Sequence, residues 1–257
     1  MLGRFQYNET VFFGDVLDDI VYPDPTFQDL NDEYPLTSLL VLPPVRPSKI
    51  ICVGLNYKDH AAELGMTPPE NPLIFLKPPS AVLPHEGLIV YPNESGQVDY
   101  EAELGIVIGK TGKHISEEDA FDYILGYTCF NDVTARDLQK ADGQWTRAKS
   151  FDTFAPFGPF TVTAEEMARQ NLSPEKLNIM CCVIRNHNEE IRQDSNTSEF
   201  IFSIPKLISF ISSVMTLEEG DLIATGTPAG IGSLLAGDVV EIEIEGIGVL
   251  RNTVVSA

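Results

Sequence analysis

The stretch VDYEAELGIVIG, Val98 to Gly109, sets two glutamates one residue apart at the head of an apolar run. With a period of two, Tyr100, Ala102, Leu104, Ile106 and Ile108 line one face of a strand, and Glu101, Glu103, Gly105, Val107 and Gly109 line the other. Both faces turn apolar after Glu103, which predicts a strand covered on two sides and carboxylates screened from bulk water. With their Cβ atoms roughly 7 Å apart and an effective dielectric of about 20, the pair repels by about 2 kcal/mol before any desolvation cost. A positive partner is therefore expected nearby.

The segment EIEIEG, Glu241 to Gly246, shows what the same spacing looks like without that demand. There Val240, Ile242 and Ile244 alternate strictly with Glu241, Glu243 and Glu245, the signature of a half-exposed antiparallel strand whose charges are solvated and discourage edge pairing. E-x-E alone is thus no ligand signal; two-sided burial is what sets Glu101 and Glu103 apart.

Working outward, 257 residues can bury a large core in one domain, or in one domain with a small appendage. The hydrophobic content of 43% and a mean hydropathy of -0.01 describe a soluble globular protein. Lys+Arg 17 against Asp+Glu 38 gives a net charge of -21, which argues against nucleic-acid and anionic-membrane partners and requires a local positive centre for any small anionic substrate. Cys52, Cys129, Cys181 and Cys182 form no C-x-x-C pair, and the N-terminal segment lacks the apolar core of a secretory signal, so a reduced, cytoplasmic protein is expected. No apolar run approaches the ~20 residues of a membrane helix.

Residues 1–45 mix short strand-like pieces (Arg4 to Tyr7, Val11 to Gly14) with acidic, proline-containing loops, and Pro43, Pro44 and Pro47 end the section. This predicts a small N-terminal subdomain, followed by a main domain over 46–257. From Lys49 the strand signals dominate: Lys49–Val53, Leu73–Leu76, Tyr100–Ile108, Tyr123–Phe130, Lys176–Arg185, Leu222–Ala224 and Val239–Val255. Helices are expected over Asp59–Leu64, Glu117–Asp122 behind Ser116, Ala164–Gln170 behind Thr163, and Ile204–Met215. Long β segments with scattered helices predict an α+β fold.

A third carboxylate, Asp132, follows an apolar strand in GYTCFNDVTARDLQ, Gly126 to Gln139. Alone it reads as a helix cap; joined to Glu101 and Glu103 it completes an all-oxygen donor set suited to Mg²⁺, Mn²⁺ or Ca²⁺ rather than zinc. His60 and Glu63, three apart, share a helical face, so the carboxylate can orient the imidazole, although such a pair is also an ordinary surface contact. Lys149 lies in a stretch poor in secondary-structure signal, where a lysine is usually solvated. TGTPAGIG, Thr225 to Gly232, has no following G-K-[ST] and is not a phosphate loop; it is either a tight turn or a cradle in which backbone N–H groups and Thr227 hold a carboxylate. His85, His114 and His187 have no companions at ligand spacing.

Taken together, GLNYKDHAAE (54–63), FLKPPSA (75–81), VDYEAELGIVIGK (98–110), GYTCFNDVTARDLQ (126–139), RAKSFDTFAPFGP (147–159) and GDLIATGTPAGIG (220–232) resemble, in order, the fumarylacetoacetate hydrolase (FAH) family. The likeness is greatest to its short acylpyruvase and oxaloacetate decarboxylase-like members. Residues before about Lys49 match weakly, and the turn at Asn186, His187 and Asn188 lacks the glycine often found there. The resemblance implies a mixed β-sandwich roll, usually homodimeric. It implies that Glu101, Glu103 and Asp132 hold Mg²⁺ or Mn²⁺, and that His60 and Glu63 form a water-activating dyad on a short lid helix. By the same resemblance Lys149 faces the substrate carbonyl or enolate, Lys77 is a second cation, and Arg136, Gln139 and Thr227 orient a small anionic 2-oxo acid. Arg147 is taken as structural. The expected activity is hydrolysis or decarboxylation of 2-oxo acids. The alternatives are isomerisation or decarboxylation of hydroxymuconate-type diacids, and a non-enzymatic protein that binds Ca²⁺ structurally.

Overall fold

In the computed structural model, which describes residues 1–27 and 30–257, the opening stretch is two strands rather than one: Val98–Tyr100 and Ala102–Ile108, parted at Glu101. The break is a change of sheet. Ala102–Ile108 pairs antiparallel with Ile124–Asn131 on one side and Leu222–Ala224 on the other, whereas Val98–Tyr100 leaves to join Thr134–Ala135 and Gly232–Ser233 in a three-stranded sheet. Its neighbour breaks at the same level, between Asn131 and Thr134. Every residue of Ala102–Ile108 is buried, so two-sided covering is observed, with Leu104, Ile106 and Ile108 in the principal core and Val107 in a second cluster with Phe130 and Phe157.

The large sheet has twelve strands. Its central path runs from Leu2–Tyr7 through Ala155–Thr163, Ile124–Asn131, Ala102–Ile108, Leu222–Ala224 and Ile50–Gly54 to the edge strand Leu73–Lys77. A five-stranded sheet, ordered 188–196, 178–185, 239–244, 248–256, 88–91, lies against it. Leu104, Ile106, Tyr127 and Cys129 from the first and Cys181, Val183, Ile242 and Leu250 from the second share the principal core. Packing of opposed apolar faces is the sandwich arrangement, and with few helices the fold is α+β.

Among the described residues five short α-helices complete it: α1 (Lys58–Glu63), α2 (Arg136–Asp142), α3 (Thr146–Lys149), α4 (Ala164–Arg169) and α5 (Ile204–Val214). Thr163 caps α4 with a capping box through Glu166, and Ser203 caps α5, whose Ile204, Leu207, Ile208 and Ile211 are buried. The helix expected over Glu117–Asp122 is instead a single 3₁₀ turn, Ala120–Tyr123. Ser116 Oγ donates to the Asp119 carboxylate and accepts from its N–H, a local turn that competes with a helical one.

Within residues 1–45, Phe5, Phe12, Val16, Val21 and Tyr34 form a core of their own, while Leu2 pairs with Thr161 and the Met1 ammonium meets Glu166 of the main body. Gln28 and Asp29, inside the N-terminal section, lie outside the described residues. The hairpin at Asn186 and His187 takes φ of 52° and 65°, so non-glycine residues occupy the left-handed positions that glycine usually fills.

Candidate active site and metal centre

The paired strand breaks build the site. Because Ala102 sits opposite Asn131, the residues just outside the large sheet, Glu101 and Asp132, meet: the Asp132 N–H donates to the Glu101 carbonyl at 2.9 Å, and the Glu101 N–H to Asn131 Oδ1 at 3.1 Å. Glu103, two residues along, points to the same side. One oxygen from each of Glu101, Glu103 and Asp132 lies within 4.8 Å of the others, and all three residues are buried. Asp132 does not act as a helix cap; α2 begins after Ala135, which makes no side-chain cap.

The positive partners required by the sequence are present. Lys149 sits on α3, not in a loop, and donates to Glu101 Oε2 at 2.9 Å and Asp132 Oδ2 at 2.7 Å, with its ammonium 4.9 Å from the Phe75 ring centroid. Lys77 bonds Asp132 Oδ1 and, at 3.0 Å, the Val133 carbonyl. Arg136 donates to Asp99 at 2.8 Å, to Gln139 Oε1 at 2.6 Å and to Glu101 Oε1, so all three of its nitrogens are engaged.

Compensation is uneven. Burial opposes ionisation of Glu101, but Lys149 and Arg136 outweigh it and hold the carboxyl well below the usual range. Glu103 bonds to no cation: burial first, then the charges of Asp132 and Glu101, push it well above the ordinary value, against one N–H from Gly226 at 2.8 Å and the smaller pull of the Lys149 charge. Burial also opposes the Lys149 charge, yet Asp132 and Glu101 raise its affinity for the proton. The centre therefore has one carboxyl that its own cations leave uncompensated.

His60 is buried on α1, its Nδ1 2.8 Å from Glu63 Oε2. The Gly230 N–H donates to Glu63 Oε1 at 3.0 Å, and Ser195 donates to Asp59 at 2.6 Å, tying α1 to two other segments. In TGTPAGIG the N–H groups of Gly226 and Gly230 are taken by carboxylates of the same chain, Glu103 and Glu63, while Thr227 lines the cavity of the site. Both glycines have φ near +96°, and a Cβ on Gly230 would lie 2.1 Å from the Arg192 carbonyl, so backbone proximity explains the residue type.

A cavity of about 410 Å³ joins these groups. Glu101, Glu103, Asp132, Lys149, His60, Arg136, Gln139 and Thr227 line it, with Phe75, Leu73 and Trp145 as apolar wall. Of the residues expected at the site, Lys77 and Glu63 lie outside this lining: Lys77 sits behind Asp132 and toward a neighbouring groove, and Glu63 reaches the cavity through its bond to His60. Arg147 is at the surface, paired with Asp142 at 2.6 Å.

The chain matches the family described as Fumarylacetoacetate (FAA) hydrolase C-terminal over residues 49–255. It belongs to that family. As a fumarylacetoacetate hydrolase family member it is an enzyme, and the carboxylates, lysine and histidine just described are its candidate machinery. A protein of Archaeoglobus fulgidus is 54% identical over 99% of this chain and 96% of its own, and the oxaloacetate tautomerase YisK of Bacillus subtilis is 44% identical over 87% and 77%. Among solved structures, a 5-carboxymethyl-2-hydroxymuconate delta-isomerase from Mycobacterium smegmatis superposes with a TM-score of 0.88 at 42% identity, covering 100% of this chain and 98% of that one. A maleylpyruvate hydrolase from Sphingobium, in complex with manganese(II) and pyruvate, does so at 0.82 and 31%, covering 100% and 99%.

Gln193 escaped the sequence reading. Fully buried, it accepts from the Ala102 N–H at 2.9 Å and donates at 2.8 Å to both Thr227 Oγ1 and the Pro228 carbonyl, joining the carboxylate strand to the Thr225–Gly232 loop. The Pro228 carbonyl, purely an acceptor, fixes which way the amide points.

Proposed function

We propose that this family member is a divalent-cation-dependent enzyme that forms and protonates enolates of 2-oxo acids, acting on oxaloacetate-type substrates by keto–enol interconversion or decarboxylation. The observation that carries the reading is the convergence of Glu101, Glu103 and Asp132 in one cavity with Lys149 and His60. The donor set fits Mg²⁺ or Mn²⁺: only oxygen atoms, three carboxylates, and a Glu103 left uncompensated by the chain's own cations. When bound, such an ion supplies Lewis-acid polarisation of the carboxylate and keto oxygens of a 2-oxo acid.

The chain's own residues do the rest. With its Nδ1–H donating a hydrogen bond to Glu63, His60 presents Nε2 as the proton acceptor, and the same nitrogen returns the proton to carbon or oxygen. Lys149, held charged between Glu101 and Asp132, offers positive potential to a developing enolate oxygen. Thr227 and Gln139 give polar contacts, and Phe75, Leu73 and Trp145 offer an apolar wall for the rest of the substrate.

A second reading, hydrolysis of acylpyruvates, uses the same dyad to deprotonate a water, and the manganese- and pyruvate-bound maleylpyruvate hydrolase supports it. The hydroxymuconate-type isomerisation would use the dyad as a shuttle. Metal-stripped protein, restored with Mg²⁺ or Mn²⁺, should accelerate loss of the enol absorbance of oxaloacetate. Label entering a new carboxylate from H₂¹⁸O with an acylpyruvate substrate would favour hydrolysis, and absence of metal-dependent turnover of any 2-oxo acid would refute both.

A further inference from the structure

Two cavities meet at His60. The larger holds the carboxylates; a second, of about 320 Å³, is lined by Gln97, Asp99, Ile231 and Gly232, and the two share His60, Leu64, Arg136, Gln139 and Lys140. On α2, Arg136, Gln139 and Lys140 stand at i, i+3 and i+4, so they share one face, with Lys140 a turn beyond Arg136. The helix is pinned there: Asp137 accepts from Ser95 Oγ at 2.6 Å and the Gly96 N–H at 2.8 Å.

Cations around the site are otherwise committed. Lys149 and Lys77 are bound to the carboxylates, and Arg136 is held by Asp99, Glu101 and Gln139. Asp99, the acid lining the second cavity, is itself saturated by Arg136, Gln97 and Ser233. Lys140 lines both cavities, is exposed, and has no carboxylate within ion-pair distance among the described residues.

We propose that Lys140 receives the distal carboxylate of a 2-oxo dicarboxylic acid and so selects dicarboxylates over acids with a neutral tail. The assignment rests on the 2-oxo acid reading above. A dianionic substrate brings a chelating end suited to the cation that the three carboxylates would hold, and a second charge that a chain of net -21 repels unless a cation meets it. At the shared rim, Lys140 is that cation.

The pair 2-oxoglutarate and 2-oxopentanoate has the same 2-oxo acid end and the same chain length and differs in the distal carboxylate. Binding of each is measured by calorimetry with Mg²⁺ present, a readout that needs no turnover. Wild-type protein should prefer 2-oxoglutarate by roughly five- to ten-fold, less at high salt, as expected for a solvent-accessible ion pair. Lys140→Met should abolish that preference while moving 2-oxopentanoate by less than about two-fold, and Lys140→Arg should keep it. Equal binding of the two acids by wild-type protein, or a preference that survives in Lys140→Met, overturns the assignment but leaves the 2-oxo acid reading standing. Binding of neither acid overturns both.

Discussion

Glu103 is where stability and function pull apart. Its buried carboxyl is repelled by Asp132 and Glu101, so replacing it with an amide removes a conflict from the metal-free protein. Glu103→Gln should therefore keep or raise the melting temperature by the equivalent of about 1 kcal/mol, yet weaken Mg²⁺ and Mn²⁺ binding and lower activity by about a hundred-fold or more. The raised proton affinity has a definite sign. In the metal-free protein it favours folding below the ordinary glutamate value, and that contribution is lost as pH rises toward the shifted value, because the unfolded chain ionises first. Ion binding needs the carboxylate, so uptake at any pH where Glu103 still holds its proton should release that proton, seen in calorimetry as a buffer-dependent heat that grows as pH falls; Glu103→Gln should not show it. Lys149→Met should do the opposite of Glu103→Gln and destabilise by about 3–5 kcal/mol, since Glu101 and Asp132 lose their shared buried cation. The need for such a cation was legible in the burial pattern of Glu101 and Glu103. Its identity was not readable from spacing, because Lys149 reaches the carboxylates from a four-residue helix with no periodic signal.

At the scale of elements, apolar strands were legible and polar or proline-bearing ones were not. Asn188–Asn196 exposes most of its residues at the rim of the five-stranded sheet, so its sequence carries no alternation, and Ala155–Thr163 contains Pro156, Gly158 and Pro159, which read as a loop. Helix α2 buries only Leu138 and is too short for a helical period. The junction that makes the site, two neighbouring strands leaving one sheet at the same level, depends on the register of Ala102 against Asn131, which no local pattern encodes. Gln193 spans that junction and the loop carrying Thr227. Gln193→Leu should leave the Ala102 N–H unpaired, destabilise by about 1–3 kcal/mol, and raise KM more than it lowers kcat. Thr163→Ala, which removes the capping box of α4, a helix that contributes nothing to the cavity lining, should lower stability by about 1 kcal/mol with kcat and KM unchanged.

For the whole molecule, the charge of -21 is spread over a chain whose core is built from two opposed sheets. Self-repulsion of that charge predicts a melting temperature that rises between low and moderate salt, even as the exposed ion pairs weaken. The homodimer implied by resemblance predicts a solution mass of twice the 28.3 kDa chain by light scattering. A small N-terminal unit over residues 1–45 is proposed from its separate aromatic core; its strand contact at Leu2 and Thr161 predicts that deleting it exposes Phe160 and lowers stability of the remainder. The central claim is most directly tested by anomalous scattering from crystals grown with Mn²⁺ and oxalate. A single manganese peak bounded by Glu101, Glu103 and Asp132 is the predicted result, and no peak there, with Glu101 and Asp132 still held by Lys77, Lys149 and Arg136 and Glu103 only by the Gly226 N–H, would contradict it.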